Sequence, residues 1–513
     1  MISSFLSVCL VCLVGWILDA PRRRRRATLP PGPKAIPIIG NLLQLPRVNP
    51  FEIYAKWSKT YGPLLYFHVM GREFVIVNSL KAAMDLFETR SNLYCHKPRM
   101  VMAGELVGKE QTSMVFSRYN DRLKECRKIT HSWMGKMSIV ETYPLQEIGL
   151  VRLLEALLDD PERFSDHVRT YAGTVLLRLI YGTRCLPRDD PHIALSEHVC
   201  GLTAEAMRPG RWFCDFLPWM ANIPEWFPGA GFKQWAKQTR RTTMELIQGP
   251  YEVVKKAVID GTAPKSWLAD EMLDESGQIK GGEEAYNLMM ASGSLYAAGI
   301  DTTVSAIRTF FLMMARNPEI QKKAQDEIDS VVGPNRLPSV SDRPSLPYIN
   351  AIIKECLRIN SIVPILPHSS DTDDVYEGYL IPKGSFVMVN AWKILHDPEI
   401  YPEPENFRPE RFIPSPGEEM QMDPEELVFG LGRRTCAGLY FAQSWIYLNM
   451  TQVLFAFDIG PAKAPDGNLI VPPARFETAG HIRVPAEFKC SVSPRSPEKI
   501  ELIREVATMV RDD

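Results

Sequence analysis

Charge of one sign is what this chain most conspicuously lacks. Its 59 lysines and arginines stand against 61 aspartates and glutamates, a formal net charge of −2 over 513 residues. The basic footprint that nucleic-acid binding requires is therefore absent. Cysteine is sparse, ten residues without regular spacing, which excludes a disulfide-framed secreted scaffold. Cys9-Leu10-Val11-Cys12 has the spacing of a redox pair but lies inside an apolar run, which disfavours that role. There is no internal repeat and no long polar linker after residue 34. The several domains that the length alone would allow thus give way to one large, mostly helical domain. Asn449-Met450-Thr451 spells a glycosylation acceptor, but it falls in an apolar helical run and is expected to stay unmodified.

Long apolar runs are confined to the N-terminus. Ile2 to Leu18 is predominantly apolar and uncharged, and five arginines, Arg22 to Arg26, follow it. At helical rise this run reaches about 26 Å, enough for a thin bilayer core such as that of the endoplasmic reticulum. A cleaved signal peptide would place its positive charge before the apolar run, and here the order is reversed. The expectation is an uncleaved single-pass anchor over residues 1–20, with the arginines and everything after them on the cytoplasmic side. Residues 21–33 read as a basic, proline-rich linker ending in Leu29-Pro30-Pro31-Gly32-Pro33, stiffened by its prolines. Residues 34–513 form the body.

Within the body, Leu64–Val69 and Phe74–Val77 flank a turn at Gly71-Arg72 and predict a β-hairpin. Helical periodicity dominates up to residue 360. One long helix is expected from about Glu284 to Arg316, ended by Asn317-Pro318, a second over Ile320–Val332 and a third over Pro347–Arg358. Short strands and turns follow, then an apolar helix after Cys436. The fold class is mainly α with small β-sheets (α+β).

The densest cluster of chemical signals is Phe429-Gly430-Leu431-Gly432-Arg433-Arg434-Thr435-Cys436-Ala437-Gly438. A sulfur at a helix N-terminus sits beside unpaired N–H groups and the positive dipole end, which favours thiolate over thiol. Gly432 and Gly438 let the backbone turn sharply or lie close to a flat group. Phe429 can cover the sulfur, and Arg434 carries a permanent charge. The spacing F-x-x-G-x-R-x-C-x-G resembles the haem-ligand loop of the cytochrome P-450 family, in which this cysteine is the axial thiolate of haem b (iron protoporphyrin IX). The resemblance makes Cys436 the iron ligand and Arg434 a propionate partner, and it extends from the proline-rich linker to about Cys490.

Further motifs match the same family. Glu355 and Arg358 stand at i and i+3 on one helix, and Phe407-Arg408-Pro409-Glu410-Arg411-Phe412 follows about fifty residues later. The resemblance implies that Glu355, Arg358 and Arg411 meet in a buried ion network that supports the haem loop. Ala298-Gly299-Ile300-Asp301-Thr302-Thr303 lies midway along the long helix. Its glycine, and a threonine able to bond back to the carbonyl of Ala298, mark a weak point that suggests a functional opening. The segment matches the family's oxygen-activation motif, which makes Thr302 a partner of the bound dioxygen and Asp301 its proton supply. His368 and Arg127 fall where the family has propionate contacts. The tryptophan usual four residues before that arginine is Leu123 here, with Lys124 a candidate substitute.

The function so implied is a haem-thiolate monooxygenase that inserts one oxygen atom of O2 into a small lipophilic substrate, resembling most the fungal microsomal branch serving secondary-metabolite biosynthesis. Nothing in the chain resembles a flavin domain or an iron–sulfur motif, so NADPH and flavins would act only through a separate membrane-bound flavoprotein reductase. Arg433, Lys124 and Lys128 are candidates for its basic docking face. An aromatic, proline-broken stretch, Trp212 to Trp235, reads either as a membrane-dipping lid or as core. Met100, Met102, Met114 and Ile362-Val363-Pro364-Ile365-Leu366 are candidate pocket walls. Two alternatives stand beside this reading: a haem-thiolate isomerase or dehydratase needing no reductase, which the Asp301-Thr302 pair argues against, and a non-catalytic haem-binding membrane sensor, which would not need Thr302.

Overall fold

The computed structural model describes residues 28–186, 188–414, 417 and 419–510. The anchor expected over residues 1–20, and the arginine run of the linker, lie outside the described residues. Among those described, no helix is long and apolar enough to cross a membrane. The proline-rich end of the linker lies against the body. The carbonyl of Pro31 accepts from Tyr66 N at 3.0 Å, and that of Thr28 accepts from Leu380 N at 2.9 Å.

Among the described residues helices make most of the body, accompanied by four small sheets. The largest sheet runs in the order Leu64–Val69, Arg72–Val77, Phe386–Asn390, Ile365–His368, with its central pair parallel and the outer pairs antiparallel. The predicted hairpin closes through Met70 and Gly71, both at positive φ, +48° and +83°. A two-residue turn of that hand matches the twist of the strands it joins. The Phe476–Ala479 and Ile482–Pro485 strands form a separate hairpin whose backbone is fixed to the helical core, with Arg483 O accepting from Ser305 Oγ at 2.6 Å.

The centre of the body is the helix Gly282–Arg316. Glu283 and Glu284 in its first turn complement the dipole. Pro318, which has no N–H to donate, ends it by opening the next helix, Pro318–Val332. The helix is unbroken through Ala298–Thr303. Thr302 Oγ1 does bond back to Ala298 O, at 2.9 Å. The glycine has a different explanation from the expected weakness. A Cβ on Gly299 would lie 2.7 Å from Leu176 Cδ1, and one on Gly293 would lie 2.7 Å from Ile247 Cγ2. These glycines let the Phe164–Tyr181 and Gly231–Ile259 helices approach the long helix closely. Behind it packs Leu439–Ala456, buried almost throughout, with Trp445 and Tyr447 fully enclosed. Asn449 is fully buried in that helix, which closes the formal glycosylation site to any enzyme.

The segment leading to the cysteine loop is held by Glu355 on the helix Pro347–Ile359. Arg358 grips this carboxylate with both prongs, Nε to Oε2 at 2.7 Å and Nη2 to Oε1 at 2.8 Å. Arg411 Nε reaches Oε1 at 3.3 Å, and the Arg408 backbone N–H donates to the same oxygen at 2.9 Å. The guanidiniums also donate outward to the carbonyls of Leu395, Glu403 and Asn406. One buried carboxylate thus ties a helix to a loop that has little regular structure of its own. Removing one partner from such a group strands the others without water. Glu355→Ala is therefore expected to cost about 3–5 kcal/mol of stability, read from the urea midpoint of the haem-loaded protein; a change below about 1 kcal/mol would show that the arginines find other partners.

Candidate active site

Cys436 follows a single turn, Gly432–Arg434, and lies three residues before the helix Leu439–Ala456. Its own N–H donates to Phe429 O at 2.7 Å, closing the loop on itself. Gly432 is at φ +53°, and a Cβ there would fall 2.1 Å from Phe87 O, so only glycine fits. Its N–H donates to Glu88 Oε1 at 2.6 Å. Gly438 is different. It has an ordinary negative φ, and the nearest protein atom to a Cβ would be Met134 Sδ at 3.5 Å. No protein neighbour requires a glycine there.

Cys436 has surface accessible to solvent, yet its thiol lies deep among protein atoms. Both hold only for a group that faces an internal space. Burial pushes the Cys436 thiol up, opposed by the Gly438 N–H aimed at the sulfur and by the charge of Arg127. Those two donors alone do not make it an anion; a metal bond would supply the difference.

Around this space stands a group of cations that outnumbers its counter-ions. Arg434 donates through Nη2 to the carbonyls of Ser117, Met114 and Val115, while its buried Nη1 has no partner. Burial, and then the Arg127 charge, lowers the Arg434 guanidinium to about 10. Arg127 donates to Thr435 O at 2.9 Å and is itself lowered by burial. Lys97, whose Nζ donates to Pro367 O at 2.9 Å, is driven well below the ordinary lysine value by burial and by Arg434. His368 is held well below its usual value by burial, then by Lys97 and Arg434. Its Nδ1 must donate to the carbonyl of Tyr94 at 2.8 Å, so in the neutral ring Nε2 carries the lone pair. A carboxylate at the margin, Asp371, is taken by Arg118 at 2.5 and 2.7 Å and by His96 at 3.4 Å. These residues lack enough anionic partners, and the two propionates of a haem would meet that demand.

Sequence reasoning placed Arg127, Arg434 and His368 here and missed Lys97. Its signal was weak: a basic pair, His96-Lys97, between buried Cys95 and the proline of a turn. Lys124, the candidate for the missing tryptophan's role, is not in the site. It is exposed and paired with Asp121 at 2.8 Å, because it lies on the outer face of the helix Asp121–Met134. Leu123 is buried in place of the tryptophan. Lys124 and Arg433 share the ring of Tyr119, at 5.6 and 5.5 Å, and Lys128 pairs with Glu125 at 3.6 Å.

On the long helix, Ala298 is exposed and Ala297, Gly299 and Thr302 are half-buried, although Met290–Tyr296 before them and Thr303–Ala315 after them are buried. An exposed stripe in the middle of a core helix can only face an internal space. Asp301 points elsewhere: Oδ1 accepts from Arg169 Nη1 at 2.9 Å, and Oδ2 is buried without a partner. Arg169 also approaches Glu197 at 3.7 Å. The acid therefore sits between the helix interior and a charged chain leading outward. Of the candidate walls, Met102 is fully buried, whereas Met100 and Met114 are partly accessible.

A deep sulfur, a cationic rim and an open stripe on a long helix together define a haem-thiolate protein. The cytochrome P-450 family model matches residues 30–476. The chain is 40% identical to cytochrome P-450 monooxygenase claR of Ampulloclitocybe clavipes, over 95% of this chain and 90% of that protein. It is 38% identical to cytochrome P-450 monooxygenase 208 of Postia placenta, over 97% and 96% of the two chains. Monooxygenase COX2 of Coprinopsis cinerea is 37% identical over 95% and 93%. The chain belongs to the cytochrome P-450 family and is a haem-dependent monooxygenase that uses O2 and draws electrons from NADPH through a separate reductase. The isomerase and sensor readings give way to that assignment.

Proposed function

We propose that the protein oxidises a small, largely apolar molecule in a fungal secondary-metabolite pathway, from an anchored position on the endoplasmic reticulum membrane. The observation that carries the reading of the site is the deep sulfur of Cys436 opening onto an internal space. In this reading Cys436 is the axial ligand, with Arg127, Arg434 and Lys97 holding the propionates and His368 able to join them only once its Nε2 takes up a proton. The haem, when bound, supplies O2 binding and the electron transfers of oxygen activation, pushed by the thiolate. Phe429 and the closed Gly432 turn keep water from the sulfur. Glu355, Arg358 and Arg411 hold the loop in register.

The residues on the other side manage protons. The Thr302 hydroxyl is parked on Ala298 O at 2.9 Å and can instead donate toward the open stripe it faces. Asp301, bridged to Arg169 and Glu197, relays protons inward from the surface. Arg433, with the neighbouring Lys124 and Lys128, lies where a reductase can dock. Co-expression with a reductase should yield an oxidised metabolite from the parent chain and none from Cys436→Ser, whose reduced carbon-monoxide complex should lack the red-shifted Soret band of thiolate ligation. An unshifted band in the parent would remove the assignment of Cys436.

The aromatic stretch divides in two. Trp212 is buried, with its ring 4.6 Å from that of Trp235, and is core. Phe213, Trp219, Trp226 and Phe227 are exposed, with Trp226 at 81%. Leu42 and Leu45 pack against the core cluster that includes Phe216, and Leu43 between them is exposed. A patch of this kind beside the linker suits contact with the bilayer surface. Without residues 1–27, the body should still float with liposomes, and a Trp219→Ser, Trp226→Ser double variant should not; absence of flotation before substitution would refute the contact.

A further inference from the structure

Two buried basic groups near the oxygen-facing helix have no part in holding a haem. Lys109 opens the short helix Lys109–Thr112, entered through Gly108 at φ +85°. It is only 6% exposed, and among the described residues no hydrogen bond or ion pair reaches its Nζ. His481 lies at the tip of the Phe476–Pro485 hairpin, edge-on to Phe116 with ring centroids 6.4 Å apart. Its buried Nδ1 has no partner.

Four elements converge on this pair. The hairpin is fastened to the long helix by Ser305, one turn beyond Thr302. Gly480, beside His481, abuts the helix Pro191–Ala206, where a Cβ would fall 2.6 Å from Ala204 Cα. That helix carries Cys200, the thiol whose field Lys109 feels, and Cys200 in turn lies beside Asp301. The segment after Lys109 is tied to the long helix by Met114 N to Ser294 Oγ at 3.0 Å. Asp301 cannot serve as the missing counter-ion, because Arg169 already holds it.

An ammonium buried without an anion is costly and is retained where a ligand completes it. Burial lowers the Lys109 amine to about 8 and, with Lys109 beside it, the His481 imidazole to about 4. His481 is thus a neutral ring with one N–H to donate, and Lys109 is a cation that an incoming carboxylate would stabilise.

We propose that Lys109 and His481 form an acid-recognising end of the substrate site, so that the substrate is an apolar molecule bearing a carboxylate. This rests on the reading that the Ala298–Thr302 stripe borders the substrate space. The head group is held between the hairpin tip and Lys109, and the apolar body extends along Phe116 and Met114 toward the stripe. A charge-assisted contact of this type is worth roughly tenfold or more in affinity.

The test uses the full-length haem-loaded protein and matched pairs of carboxylic acids and their methyl esters: straight-chain, aryl-alkanoic and terpenoid. Binding is read by equilibrium dialysis and by the Soret shift. At least one acid should bind roughly tenfold or more tightly than its ester. Lys109→Met should bring that acid to the level of its ester, and Lys109→Arg should keep the preference. Equal binding of acids and esters throughout, including no binding of either, overturns the proposal, as does a preference that survives in Lys109→Met. A thiolate-type carbon-monoxide spectrum retained in Lys109→Met separates failure of this site from failure of the haem assignment.

Discussion

A sulfur buried this deeply does not stay an anion unaided, and that constraint organises the molecule. Desolvation drives the Cys436 proton on, while one backbone N–H and one guanidinium pull it off. In the proposed role of Cys436 as axial ligand, a bond to the haem iron would supply the remaining stabilisation. Geometry must then be fixed before the bond forms, since a loop free to wander would meet the metal at the wrong distance. The Glu355 network provides that fixity at a point well outside the site. It does so with charges, whose directionality sets loop position in a way that apolar packing does not.

The same economy of charge explains the rim. Lys97, Arg127, Arg434 and His368 are each unfavourable where they stand, and each is displaced toward its neutral form by burial. Under the proposed reading, the two propionates of a haem would relieve their common cost together. Protein and cofactor therefore complete one another electrostatically, and the cofactor contributes to the fold as well as to the chemistry.

How much of this was visible in the chain depends on whether the signal was local. The hairpin, whose turn falls at Met70-Gly71, one residue before the Gly71-Arg72 expected, the long helix and its end at Pro318, and the helix after Cys436 follow from periodicity and from residues whose backbone preferences are strong. The Glu355, Arg358 and Arg411 set was legible because two short motifs name it. Lys97 and Lys109 were not, since a lone lysine in a short polar segment reads as solvated surface until folding buries it. Lys124 shows the converse error: adjacency to Leu123 in sequence put it on the wrong face of its helix. Gly299 was noticed for the right reason, an unusual residue in a core helix, but it serves the approach of Leu176 and leaves the helix unbroken.

The contact of Gly432 with Phe87 and Glu88 has a consequence for biogenesis. It joins positions separated by 344 residues in the chain, and the rim draws on residues 97, 127, 368 and 434. While the ribosome is still translating, an emerging chain holds the early half of the pocket but no sulfur and only half of its positive rim. Completion of the proposed haem pocket is consequently late, because the nascent protein would keep an unfilled, cationic hollow until Cys436, in the last fifth of the chain, has emerged.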